Sequence, residues 1–117
     1  MQEFNVSTRV YFGEGALERL RQVEDKRVLI VTDRFMNQLG VPERVAAFLT
    51  RCTVSVFDGG VPDPPIEVVT AGVEAFRDCG AQAVIAVGGG STIDAAKAIR
   101  EVAKKVLNVD TDKMECF

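Results

Sequence analysis

Two rhythms of apolar and polar residues alternate along the chain. RVLIVTD (27–33) is continuously apolar and ends on an acid, the pattern of a strand buried on both faces of a parallel sheet. TVSVFDG (53–59) and AQAVIAV (81–87) predict two further short strands of this kind. Between these runs the period lengthens to that of a helix. RFMNQLG and ERVAAFLTR, with Pro42 at a first helical position, predict short helices after the first run. In GVPDPPIEVV, Asp63 as N-cap with Pro64 at N1 opens a helix whose apolar stripe is Ile66, Val69, Val73 and Phe76, and Cys79-Gly80 closes it. A last helix is predicted from about Ser91 to Leu107. Its inward residues are Ile93, Ala96, Ile99, Ala103 and Val106, with Lys97, Arg100, Glu101, Lys104 and Lys105 outside. At the other end, FNVSTRVYF (4–12) reads as a strand or half of a hairpin, and Gly13 and Gly15 separate it from a short helix, ALERLRQV. NVDTDKMECF reads as a loop entering another strand, where the chain stops. Strands joined by helical crossovers predict an α/β fold, a Rossmann-like doubly wound parallel sheet incomplete at its C-terminus.

Composition narrows the function. At 117 residues the chain makes one domain with room for a hydrophobic core. A net charge of −3 leaves no basic footprint for nucleic acid, so none is expected as a partner. No apolar run reaches the ~18 residues of a membrane span, so no membrane partner is expected either. The opening MQEFNVSTRVYF lacks a basic n-region and an apolar h-region, so no secretory signal is read there. Cys52, Cys79 and Cys116 show no C-x-x-C spacing and fit free thiols in a reducing cytoplasm. The chain has no histidine, which excludes a Ser-His-Asp triad, a Cys-His pair and a His-rich metal site within it. Neither a catalytic set nor a metal site is therefore expected among these residues.

The candidate chemistry lies in VIAVGGGSTIDAAKAI, residues 84–99. Gly88, Gly89 and Gly90 stand between a strand and a helix, at the sheet edge where ligands of open parallel sheets bind. They serve either a tight turn or the close approach of a phosphate to backbone N–H groups at a helix start. Ser91 is read as N-cap, as phosphate ligand, or as both, and Asp94 completes an S-x-x-D capping pattern or accepts from a ligand. Lys97 is either solvated surface or a ligand neighbour. Asp33, closing its strand, is either the N-cap of RFMNQL or the acceptor for both hydroxyls of an adenosine ribose, which favours NAD over NADP. Asp58 reads as a turn residue before Gly59-Gly60.

These residues resemble a known family. GGGSTIDAAKAI after the strand AVIAV is similar to the signature of iron-containing (group III) alcohol dehydrogenases. VLIVTD and VFDGGVPDP stand in the order and spacing of that family's N-terminal nucleotide-binding domain. The opening FNVSTRVYFGEGAL is similar to the propanol dehydrogenases of 1,2-propanediol-utilisation microcompartments. The resemblance makes Asp33 the ribose residue, Gly89, Gly90 and Ser91 the pyrophosphate cradle, Gly88 the shaper of the turn, and Asp94 and Lys97 cofactor neighbours. The family's PNPT-like turn here reads Pro62-Asp63-Pro64-Pro65, which keeps Asp63 out of the candidate site.

The resemblance implies that residues 1–117 are an N-terminal dinucleotide-binding domain. The helical domain, which holds Fe2+ or Zn2+ through one Asp and three His, is absent. The implied function is the NAD-binding portion of an oxidoreductase that interconverts a small primary alcohol and its aldehyde, 1-propanol and propanal by the opening stretch. The portion alone would be inactive. A homo-oligomer in the cytoplasm, inside a bacterial microcompartment, is implied with it. Two other readings are a stand-alone nucleotide-binding or regulatory module and a shell-associated structural piece. The intact GGGS-x-x-D argues against the latter.

Overall fold

The computed structural model describes residues 8–10, 20–21, 27–61, 63–107 and 114–116. Five strands form one sheet: β1 (Thr8–Val10), β2 (Arg27–Val31), β3 (Thr53–Phe57), β4 (Ala83–Ala86) and β5 (Met114–Cys116). Their order is β1-β5-β4-β2-β3, and every pairing is parallel. The helices are α1 (Arg34–Gln38), α2 (Val41–Ala46), α3 (Ile66–Cys79) and α4 (Gly90–Leu107). This is the Rossmann-like α/β sheet that the alternation of patterns predicts.

The apolar runs explain the centre of the sheet. Val28 to Val31 and Val84 to Ala86 are fully buried, and their alternate side chains feed two separate cores. Leu29, Val31, Val84 and Ala86 pack with Val69, Val73 and Phe76 of α3 and with Ala96, Ile99 and Ala103 of α4. Val28, Ile30, Ala83, Ile85 and Val87 pack on the other face with Leu20, Val45 and Leu49. The fold is therefore three layers, with α2 opposite α3 and α4.

Topology follows from the faces. From β2 the chain moves outward to β3 by way of α1 and α2. It then returns past β2 to β4 through α3 on the opposite face, and continues to β5 through α4. A single hand of crossover demands that change of face when the direction reverses. The reversal occurs between β2 and β4, whose carboxyl ends flank the crevice where doubly wound sheets bind ligands.

Several sequence expectations shift. The N-terminal strand pairs in parallel with β5, while the expected hairpin partner and most of ALERLRQV lie outside the described residues. The strand expected at the end of NVDTDKMECF is β5, which sits between β1 and β4. Asp63 does not cap α3; it takes φ +43°, and Pro65 is the N-cap. Pro64 precedes another proline, which disfavours the helical conformation there, so the helix waits for Ile66. Ile66 and Val106 leave their stripes and are 68% and 67% exposed, whereas Arg100 is buried, its Nη2 donating to Glu101 at 2.7 Å. Position 100 is four residues after Ala96, on the inward face, so helix geometry overrides the preference of a charge for water.

Candidate nucleotide-binding site

Asp33 and Gly88–Gly90 follow directly on β2 and β4, so both stand at the crevice between those strands. The strand ends are tied tightly. Thr32, fully buried, receives no solvent; its hydroxyl donates to the Val87 carbonyl at 2.7 Å and its N–H to the Phe57 carbonyl at 2.8 Å. Its own carbonyl accepts from the Gly60 N–H at 2.9 Å. A Cβ on Gly60 would come within 2.9 Å of that carbonyl oxygen, so a glycine is needed to close the loop after β3 over β2.

Asp33 fills the capping role and keeps a second oxygen for other work. Its Oδ1 accepts from the Met36 N–H at 2.8 Å, capping α1, a helix with no buried residue of its own. Its Oδ2 accepts from the Thr92 hydroxyl at 3.3 Å. One half-buried carboxylate thus joins α1 to α4 across the crevice. Asp58, at the end of β3, accepts from Asn37 Nδ2 at 2.7 Å and secures α1 at a second point.

The three glycines divide into two kinds. Gly88 has φ +142°, and a Cβ there would lie 2.7 Å from Thr92 Oγ1 and 3.5 Å from Asp33 Oδ2. A side chain is excluded by the turn and by the Thr92–Asp33 bond. At Gly89 and Gly90 a Cβ would meet nothing within 4 Å, so their bareness serves no internal contact. They expose backbone at the start of α4, where the first N–H groups lack partners within the helix and carry the positive end of its dipole. The open cradle fits a phosphate oxygen.

Helix α4 begins one residue earlier than its sequence suggests. The Gly89 carbonyl accepts from Thr92 and Ile93 N–H at 3.1 Å each, which makes Gly89 the N-cap and puts Ser91 inside the first turn. Asp94 lies exposed beyond that turn. Gly90, Asp94 and Lys97 share a helix face by their spacing. Lys97 stands about 10 Å along the axis from Gly90, by a 1.5 Å rise per residue. The structure therefore gathers Asp33 and Gly88–Gly90, with Ser91 close in the chain, and sets Lys97 further out. On the α2 face beside Gly88 opens a cleft of about 450 Å³ walled by Met36, Val41, Val45, Phe48 and Val87, with Arg44.

Thr92 is the residue that sequence reasoning passed over. It is fully buried and lies four and seven residues before Ala96 and Ile99, on the inward stripe of α4. A polar residue on a buried stripe beside a glycine turn is the signal that marks it.

The sequence matches the iron-containing alcohol dehydrogenase family over residues 7–115. The chain belongs to that family. It is 35% identical over 100 residues to the 1-propanol dehydrogenase PduQ of Citrobacter freundii, covering 85% of this chain and 27% of that protein. It is 35% identical over 102 residues to an NADPH-dependent butanol dehydrogenase of Clostridium saccharobutylicum, covering 85% of this chain and 26% of that protein. The E. coli aldehyde reductase YqhD, in its substrate- and cofactor-free form, superposes with TM-score 0.79 at 30% identity, over 97% of this chain and 34% of that one. The chain thus spans between a quarter and about a third of these relatives. No helix among the described residues is long and apolar enough to cross a membrane.

Proposed function

We propose that this chain is the N-terminal dinucleotide-binding part of an NAD-dependent, iron-containing alcohol dehydrogenase acting on a small primary alcohol and its aldehyde. The observation that carries the reading is the meeting of Asp33 and the bare glycines at one crevice, joined through Thr92. Gly89, Gly90 and the first turn with Ser91 receive the pyrophosphate, and Gly88 shapes the turn. The free lone pairs of Asp33 accept from the adenosine ribose, and its charge repels a 2′-phosphate. Asp94 and Lys97 flank the path of the cofactor along α4. The nicotinamide, when bound, supplies the hydride acceptor or donor; this chain holds and orients the adenosine half.

Iron is a different matter. The chain has no histidine, and among the described residues no group of three or more His, Cys, Asp or Glu side chains is placed to hold a metal ion. No step through a metal is assigned to these residues. The similarity to a 1-propanol dehydrogenase extends the reading to 1-propanol and propanal. The resemblance of the opening stretch to the propanediol-utilisation enzymes supports a homo-oligomer in the cytoplasm, within a bacterial microcompartment.

The test is calorimetric titration of the chain with NAD, NADP and ADP-ribose, repeated on Gly90→Val and Asp33→Gly. The reading requires NAD and ADP-ribose to bind in preference to NADP. Gly90→Val should abolish binding, and Asp33→Gly should erase the preference. Equal binding of NAD and NADP by the unaltered chain would sink the assignment of Asp33.

A further inference from the structure

We infer that Thr92 is a positioning residue of the nucleotide site: its hydroxyl, carried on the phosphate-facing helix, holds the Asp33 carboxylate in the orientation that reads a ribose diol. The inference rests on the proposed nucleotide reading and deepens it.

Asp33 needs two anchors to present its carboxylate in a fixed plane. The Met36 N–H supplies one through Oδ1, but a single bond leaves the carboxylate free to rotate about it. The Thr92 hydroxyl supplies the other through Oδ2, from a different element. Thr92 itself cannot drift, since it is fully buried on the stripe that packs α4 against the sheet. Each carboxylate oxygen accepts more than one hydrogen bond, so both retain a lone pair for ribose hydroxyls. The geometry around Gly88 fits the same role. A side chain there would strike the Thr92 hydroxyl, so the first glycine of the triplet keeps the path between Thr92 and Asp33 open. Because Thr92 is the third residue of α4, the helix start that would cradle the pyrophosphate and the acid that would read the ribose share one hydrogen bond. Their spacing is thereby set from inside the protein.

The experiment compares ADP with 2′-deoxy-ADP on the 117-residue chain, its Thr92→Val and Thr92→Ser variants, and Asp33→Asn. Valine keeps the buried shape of threonine and replaces its hydroxyl by a methyl, and thermal melting checks that each variant folds. Thr92→Val should weaken ADP binding about five- to tenfold, the worth of one ordinary hydrogen bond, and weaken 2′-deoxy-ADP, which offers Asp33 only its 3′-hydroxyl, distinctly less. Thr92→Ser should restore ADP binding. A purely structural role would weaken both ligands alike, and that result overturns the inference. If Asp33→Asn removes the discrimination between the two ligands while Thr92→Val preserves it, the inference fails and the nucleotide reading survives. If Asp33→Asn leaves the discrimination intact, or the unaltered chain binds neither ligand, the reading of Asp33 falls and the inference with it.

Discussion

Gly88 and Gly89 are neighbours with opposite reasons for lacking a side chain. At Gly88 the reason is internal: φ is +142° and a Cβ would press on Thr92 Oγ1 at 2.7 Å. Gly88→Ala should therefore cost about 1–3 kcal/mol of stability, the range for strained backbone, visible as an earlier urea midpoint. At Gly89 a Cβ meets no protein atom within 4 Å. Gly89→Ala should leave stability within about 0.5 kcal/mol of the parent while reducing nucleotide affinity at least tenfold. Equal stability losses at the two positions would remove the division of labour. The sequence made the triplet conspicuous but could not separate its members, because the difference lies in what stands across the turn. Asp33 shows the same limit. Its cap and ribose readings look like alternatives in the sequence, yet a carboxylate has two oxygens, and the cap occupies one of them.

Within the helices, a stripe read from periodicity gives the right face but not its ends. Val69, Val73 and Phe76 are buried as the pattern of α3 predicts, whereas Ile66, in the same register, is exposed at the first turn. Phe76→Ala should cost about 3–5 kcal/mol by emptying the core beside Ile99 and Val84, and Ile66→Ala less than about 0.5 kcal/mol. Chemical denaturation separates the two at once, and comparable losses would contradict the packing. The crossing of α3 and α4 adds a contact that no periodicity reveals. A Cβ on Gly72 would overlap the side chain of Ile99, including its Cγ1 at 2.6 Å. Gly72→Ala gains about 1 kcal/mol of helix propensity yet should destabilise overall, since overpacking a tight core costs about 1–3 kcal/mol. A rise in the melting temperature would show that the Ile99 side chain gives way without penalty. Arg100 and Thr92 belong to the same lesson: both lie on the inward face of α4, and their polarity hides them from a reading that looks only for apolar residues.

For the molecule as a whole, the sheet order decides where function is placed. The alternation of buried runs and helices made the fold class legible. The continuous apolar stretch 28–31, closed by an acid at Asp33, has the pattern of an inner strand of a parallel sheet. Strand order was not legible, because β5 enters between β1 and β4 through a pairing that no local pattern announces. The order matters because it puts the reversal point at β2 and β4, and so brings Asp33 and Gly88–Gly90 together across 55 or more positions of sequence. A ligand seated there touches two segments that are otherwise linked by the Thr92–Asp33 bond and the Thr32–Val87 bond. Binding of ADP-ribose should then slow amide exchange at residues 34–38 and 89–93 together, since both helix starts lose their freedom to open. Exchange at Gly80 and Ala81, at the far end of α3, should change little while native-state openings there remain local. Protection of residues 89–93 alone would mean that the ligand sees only a helix terminus and that α1 takes no part. A uniform slowing over the chain would mean that the ligand acts through global stability, with no localised seat at the reversal point.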